Sequence, residues 1–131
     1  MTYLHTHVST HYLQVYESAV DALSGLFFVG LQEHYEVSVK LLLRELGMGD
    51  LPVTIQRDRD QANTMYARRI AREKRALEKN NALMTRTREV NKYDMQLYNH
   101  ALTRFCETIQ RHPDLYKEAQ RNKKSPLKCP S

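Results

Sequence analysis

The stretch TREVNKYDMQLYNHALTRFCETIQ, residues 87–110, decides the fold class of this 131-residue chain. Apolar side chains recur in it at spacings of three and four, the period of one helix face. The positions that keep this period are Val90, Tyr93, Leu97, Tyr98, Ala101, Leu102, Phe105 and Ile109. Pro113 cannot continue the pattern. We therefore expect one long helix ending before Pro113, with this face in the core.

Three more stretches favour helix. Residues 9–24 and 32–46 have the helical period, and Gly47 is placed to cap the second one. The second stripe is predicted to bury Tyr35, Val39, Leu42, Leu43 and Leu46. Residues 57–86 are rich in charge and have only a thin apolar stripe, which is typical of an exposed or partly ordered helical insertion.

The segment Leu-Phe-Phe-Val, residues 26–29, is predicted to form a short buried strand because it is aromatic, β-branched and flanked by glycines. Residues 53–55 are a second strand or merely extended chain. The low content of Gly and Pro argues against an all-β fold. The expected fold is mainly α with one or two short strands. Residues 1–110 form the folded part, and the polar residues 111–131 form a disordered tail.

The formal net charge is +5, which suits an acidic glycan, nucleic acid or anionic lipid as a partner. No apolar run approaches the roughly 20 residues of a membrane span, and no signal peptide is visible at the N-terminus. Cys106 lies in a helical run and is expected to be a core residue. Cys129 is expected to be a free, exposed thiol, although pairing of the two cysteines in an oxidising compartment remains open.

Six arginines between residues 57 and 75 are the candidate contacts to a polyanion, because several of them can share a helix face. They are Arg57, Arg59, Arg68, Arg69, Arg72 and Arg75. The sequence around them matches no nucleic-acid recognition motif, so nucleic acid is not the expected partner. The pattern H-x-H-x-x-x-H at His5, His7 and His11 has no local Cys, Asp or Glu, and we assign no metal site to it.

Motifs for catalysis are missing from the sequence. It contains no G-x-x-x-x-G-K-[ST], no G-x-G-x-x-G and no G-x-S-x-G. We therefore assign no catalytic residue and no cofactor-binding residue.

Two segments resemble Golgi carbohydrate sulfotransferases, including the heparan and chondroitin types. Residues 27–33, FFVGLQE, followed by an apolar helix, resemble a strand and the family's "VGLTE", with Gln32 in place of Thr. Residues 91–101, NKYDMQLYNHA, followed by Phe105, are similar to the "N-x-x-D-x-x-L-Y" helix near the end of the same domains. The order of the segments and their rough separation also fit. The resemblance covers residues 12–110.

This resemblance implies the helical C-terminal portion of an α/β, P-loop-like fold. It implies a parent activity that transfers a sulfuryl group from the donor PAPS to a carbohydrate hydroxyl in the Golgi, with an acidic glycan as substrate. The family's PAPS-binding motifs have no counterpart here, so this chain alone is expected to be inactive and to bind no cofactor. Its partner would be the missing N-terminal half of the domain or another protein.

An alternative reading is a non-enzymatic helical interaction module. Its groove would be built from the apolar faces of residues 23–46 and 90–109. In that case residues 26–29 would belong to a helix or a loop. In a sulfotransferase remnant they would form a strand, extended and either unpaired or paired with residues 53–55.

Overall fold

The computed structural model describes residues 3–55 and 65–130, apart from the side chains of residues 3–9 and Tyr66. This part of the chain is mainly helical, as the sequence predicts. Its elements are α1 (Tyr3–Gly25), a 3-10 turn (Gln32–His34), α2 (Tyr35–Glu45), α3 (Met65–Glu78), α4 (Asn81–Val90), α5 (Lys92–Ile109) and α6 (Pro113–Gln120). Among these helices, none combines the length and the apolar character needed to cross a bilayer.

The chain divides into two compact units. The first, here called the core unit, contains the described residues 3–53 and 93–130. The second, here called the basic unit, contains residues 54–55 and 65–92.

The core unit is built around the C-terminal half of α5. Phe105 and Ile109 are completely buried, and Cys106 is nearly so, which confirms the predicted apolar face in this half of the helix. The remaining members of the same cluster come from four other segments: Leu31, Val37, Leu41, Leu115, Ala119 and Leu127. A small core of this kind must be closed from several sides, because a single helix pair cannot exclude water from it.

Helix α2 turns a different face to the core than its sequence predicts. The buried side chains are Val37, Ser38 and Leu41, whereas Tyr35 and Leu46 are about half exposed. The prediction was wrong because α2 has apolar residues on two adjacent faces, and periodicity alone does not say which one meets α5. The predicted cap is confirmed. Gly47 has a φ of 71°, and its N–H donates to the Arg44 carbonyl at 3.0 Å.

Residues 26–29 do not form the predicted strand, and no strand occurs in residues 3–55 or 65–130. A strand needs a neighbour for its backbone groups, and the described chain offers none. Instead, this connection is held by a side chain of α5. The Arg104 guanidinium donates to the Leu23 carbonyl at 2.5 Å and to the Leu26 carbonyl at 2.8 Å.

Helix α1 is attached to α5 by aromatic and polar contacts. The Tyr16 ring lies 5.2 Å from the Tyr93 ring, between centroids, and its hydroxyl is 3.1 Å from His100 Nε2. Between residues 10 and 25, no side chain of α1 is fully buried. The apolar stripe predicted for this helix is therefore only partly covered.

In the basic unit, the charged stretch is split into two helices. Asn80 interrupts the helical run predicted over residues 57–86, because its Oδ1 accepts the Leu83 N–H at 3.1 Å and caps α4. Asn91 ends α4, so the long helix predicted over residues 87–110 is also divided. The predicted residues 57–64 of the insertion lie outside the described chain.

Residues 111–130 are ordered, which corrects the expectation of a disordered tail. Pro113 occupies the start of α6, a position where the missing N–H costs nothing. Salt bridges then tie α6 to α2: Lys40 to Glu118 at 2.6 Å, and Arg44 to Asp114 at 2.6 Å. The hydrogen bonds from Arg44 hold the pKa of the Asp114 carboxyl well below its usual range.

The last residues are fixed by a core side chain and a covalent bond. Leu127 is buried, and its N–H donates to the Ala119 carbonyl at 3.1 Å. Cys129 forms a disulfide with Cys106, so it is not the free thiol that the sequence indicated. The correction has a simple cause: α6 reverses the chain and returns the tail to α5.

Reduction of this disulfide is expected to destabilise the core unit by about 3 kcal/mol, the entropy of closing a loop between residues 23 apart. Urea unfolding of the oxidised and reduced chains, followed by circular dichroism, measures the difference. The Cys129→Ser variant is the control, since its unfolding should not respond to reductant. An unchanged midpoint for the reduced wild-type chain would contradict the expectation.

Candidate functional site

The two segments that carry the sulfotransferase resemblance meet in the core unit. The Tyr98 hydroxyl on α5 donates a hydrogen bond to the Glu33 carboxylate in the 3-10 turn. One residue further on, the His34 ring stacks on Phe105, with centroids 6.3 Å apart and an interplanar angle of 16°. Residues that are 65 positions apart in sequence therefore form one junction, here called the turn–α5 junction.

On the turn side of this junction, the Ser38 hydroxyl bonds the backbone of Leu31. Ser38 Oγ accepts the Leu31 N–H at 3.0 Å and donates to the Leu31 carbonyl at 3.2 Å. The buried Leu31 N–H thereby has an acceptor inside the protein, where an unpaired group would be costly, and the Leu31 carbonyl also accepts the His34 N–H at 3.1 Å. Gly30 permits the approach, because a Cβ at this position would lie only 3.1 Å from the Ser38 Cβ.

The His34 side chain packs in the apolar core. It is buried, and its Nδ1 has no hydrogen-bond partner in the described structure. Burial lowers the pKa of His34, and the neighbouring Glu33 carboxylate raises it by a smaller amount. The imidazole is therefore neutral at pH 7, as stacking against Phe105 in an apolar core requires.

Beside the junction lies an open apolar groove of about 270 Å³. Its lining comes from the 26–31 connection, from the 3-10 turn and from α2: Phe28, Gly30, Leu31, Gln32, Tyr35, Ser38, Val39 and Leu42. None of these residues is a cation. Most of the lining side chains are apolar, so the groove offers an apolar contact surface.

The predicted polyanion contacts separate into three groups. Arg57 and Arg59 lie outside the described residues. Arg69 is paired within α3, with its Nε 2.9 Å from the Glu73 carboxylate. The other three arginines, Arg68, Arg72 and Arg75, are exposed and form no ion pair within the described chain.

The histidine pattern at the N-terminus lies mostly outside the described side chains. The side chains of His5 and His7 lie outside the described structure, and His11 is exposed on α1. Among the described side chains, no group of three His, Cys, Asp or Glu could hold a metal ion.

Sequence reasoning did not find the two polar residues on which the junction depends, Ser38 and His34. The sequence indicates their burial only through their spacing. Positions 34, 38 and 41 would lie on one helix face together with Val37. A buried serine and histidine in a mainly apolar face are easily read as solvent-exposed.

Comparisons with protein-family models, with curated proteins and with solved structures found no match for this chain.

Replacing Ser38 by alanine is expected to destabilise the core unit by about 1–3 kcal/mol, because the buried N–H of Leu31 loses its acceptor. Urea unfolding at pH 7 measures the change. Ser24→Ala is the matched control, since that exposed hydroxyl only returns to the Val20 carbonyl of its own helix. Equal, small effects of the two substitutions would show that Ser38 does not clamp the turn.

Proposed function

We propose that residues 12–110 are the helical C-terminal part of a carbohydrate sulfotransferase domain. The parent activity would transfer a sulfuryl group from PAPS to a sugar hydroxyl. The sequence lacks the family's PAPS-binding motifs, so the chain would be inactive by itself, and the donor would be bound by another part of the complete domain.

The observation that carries the proposal is the turn–α5 junction. If the two resembling segments belong to one domain, they should pack against each other in spite of the long charged stretch between them. Tyr98 contacts Glu33, and Phe105 shares a buried cluster with Leu31 and Leu41.

Exposed apolar side chains beside the groove support the idea of a missing half. Phe27 is 69% exposed, Leu26 is 51% exposed and Tyr35 is 49% exposed. Large side chains of this kind are normally covered by another layer of the fold. In a complete domain, the N-terminal α/β half would provide that layer.

The disulfide is compatible with the compartment of the family. Disulfides persist in oxidising environments such as the secretory pathway. A Golgi lumenal location therefore belongs to the same proposal.

A second candidate is a non-enzymatic helical interaction module. It is favoured by one observation: residues 26–29 are irregular chain and not a strand. In this case the same groove would receive a segment of a partner protein.

The two candidates are separated by calorimetric titration of PAPS into the 131-residue chain and into a form extended by its upstream sequence. We expect binding by the extended form only, with adenosine as the control ligand that lacks the phosphates and the sulfate. Binding by neither form would favour the interaction module. Binding by the short chain would reveal a phosphate site in it and overturn the proposed division of the domain.

A further inference from the structure

The positive charge of the chain is concentrated in one unit. Residues 54–92 contain eleven Lys and Arg against five Asp and Glu, a net charge of +6. The rest of the chain contains nine Lys and Arg against ten Asp and Glu, a net charge of −1. The whole excess of the molecule is therefore carried by the basic unit, where it creates a local field that attracts anions.

Within this unit, α3 has a paired face and an unpaired face. Arg69 bonds Glu73 at 2.9 Å, and Lys74 lies 3.9 Å from Glu78. Arg68, Arg72 and Arg75 follow each other at spacings of four and three, which places them in one row about 10 Å long. All three are exposed and have no acidic partner in the described chain.

This row is not explained by the stability of the helix. Like charges at these spacings repel each other, which costs a few tenths of a kcal/mol per pair. Arg68 also lies near the positive end of the helix dipole, and the first turn of α3 contains no acidic residue. An anion placed along the row would relieve both effects.

We propose that Arg68, Arg72 and Arg75 form a binding row for an acidic glycan chain that carries sulfate or carboxylate groups. The guanidinium fork matches both groups with two hydrogen bonds. The acidic glycan is also the substrate class of the proposed function, and the choice of ligand rests on that function. The arginine row itself rests on charge and pairing, so the two proposals can fail separately.

Two observations favour a glycan over nucleic acid. The Cys106–Cys129 disulfide points to an oxidising compartment, where the abundant polyanions are acidic glycans. In addition, residues 68–75 contain no aromatic side chain. Binding of single-stranded nucleic acid usually relies on such side chains to stack the bases.

The test is the affinity of the full chain for a heparin oligosaccharide, measured by calorimetry at constant ionic strength. The variant Arg68→Gln with Arg72→Gln removes two unpaired cations. The control variant Arg69→Gln with Lys74→Gln removes two paired cations from the same helix, so the net charge of the two proteins is equal. Gln keeps a helix propensity close to that of Arg and Lys, and circular dichroism verifies the helix content.

We expect the first variant to bind heparin about tenfold more weakly, which corresponds to 1.4 kcal/mol, and the control to remain within about twofold of the wild type. Equal losses in both variants would show that only the net charge matters and would overturn the row. The proposal is also overturned if the wild-type chain does not bind heparin, or if it binds a DNA oligonucleotide of similar charge more tightly. None of these results depends on PAPS binding.

Discussion

The core unit depends on the burial of Phe105 between the 3-10 turn and α2. Burying a phenylalanine side chain contributes about 1.5–3 kcal/mol, a large share of the stability of a small core. The contact is possible only if the turn before α2 closes tightly, and Ser38 closes it by hydrogen bonding to both backbone groups of Leu31. Helices α2 and α5 are brought together by this arrangement, and their meeting is also the main support for the proposed function.

The second constraint is the return of the chain end to α5. Helix α6 packs beside α2 through charged pairs, and Leu127 and the disulfide then cover the core from the far side. Partly exposed ion pairs contribute little by themselves, so Leu127 and the disulfide contribute most of the stability of the chain end.

The described part of the basic unit has neither a buried apolar cluster nor a disulfide. None of its described side chains is buried, and its helices are held by caps and by pairs of neighbouring charges.

How far the sequence predicts this structure depends on the length and regularity of each pattern. The C-terminal half of α5 is predictable because Leu102, Phe105 and Ile109 repeat the helical period without interruption. Helix α6 is not, since it is short and polar, with only Leu115 and Ala119 buried. The face of α2 was misjudged because it has two apolar sides, and residues 26–29 were read as a strand because four apolar residues satisfy that pattern equally well. Of the candidate site, the arginine row is visible in the spacing of residues 68, 72 and 75, whereas the Ser38 clamp arises only from tertiary contact.

The claim that the two resembling segments form one cooperative unit is tested most directly by native-state hydrogen exchange, resolved by residue. The account predicts that the amides of α2 and of the C-terminal half of α5 exchange with the same, highest opening free energy, and that the amides of α3 and α4 exchange far more readily. Exchange of α2 at a clearly lower free energy than α5 would contradict it, because Phe105 and the turn would then not be joined in one core.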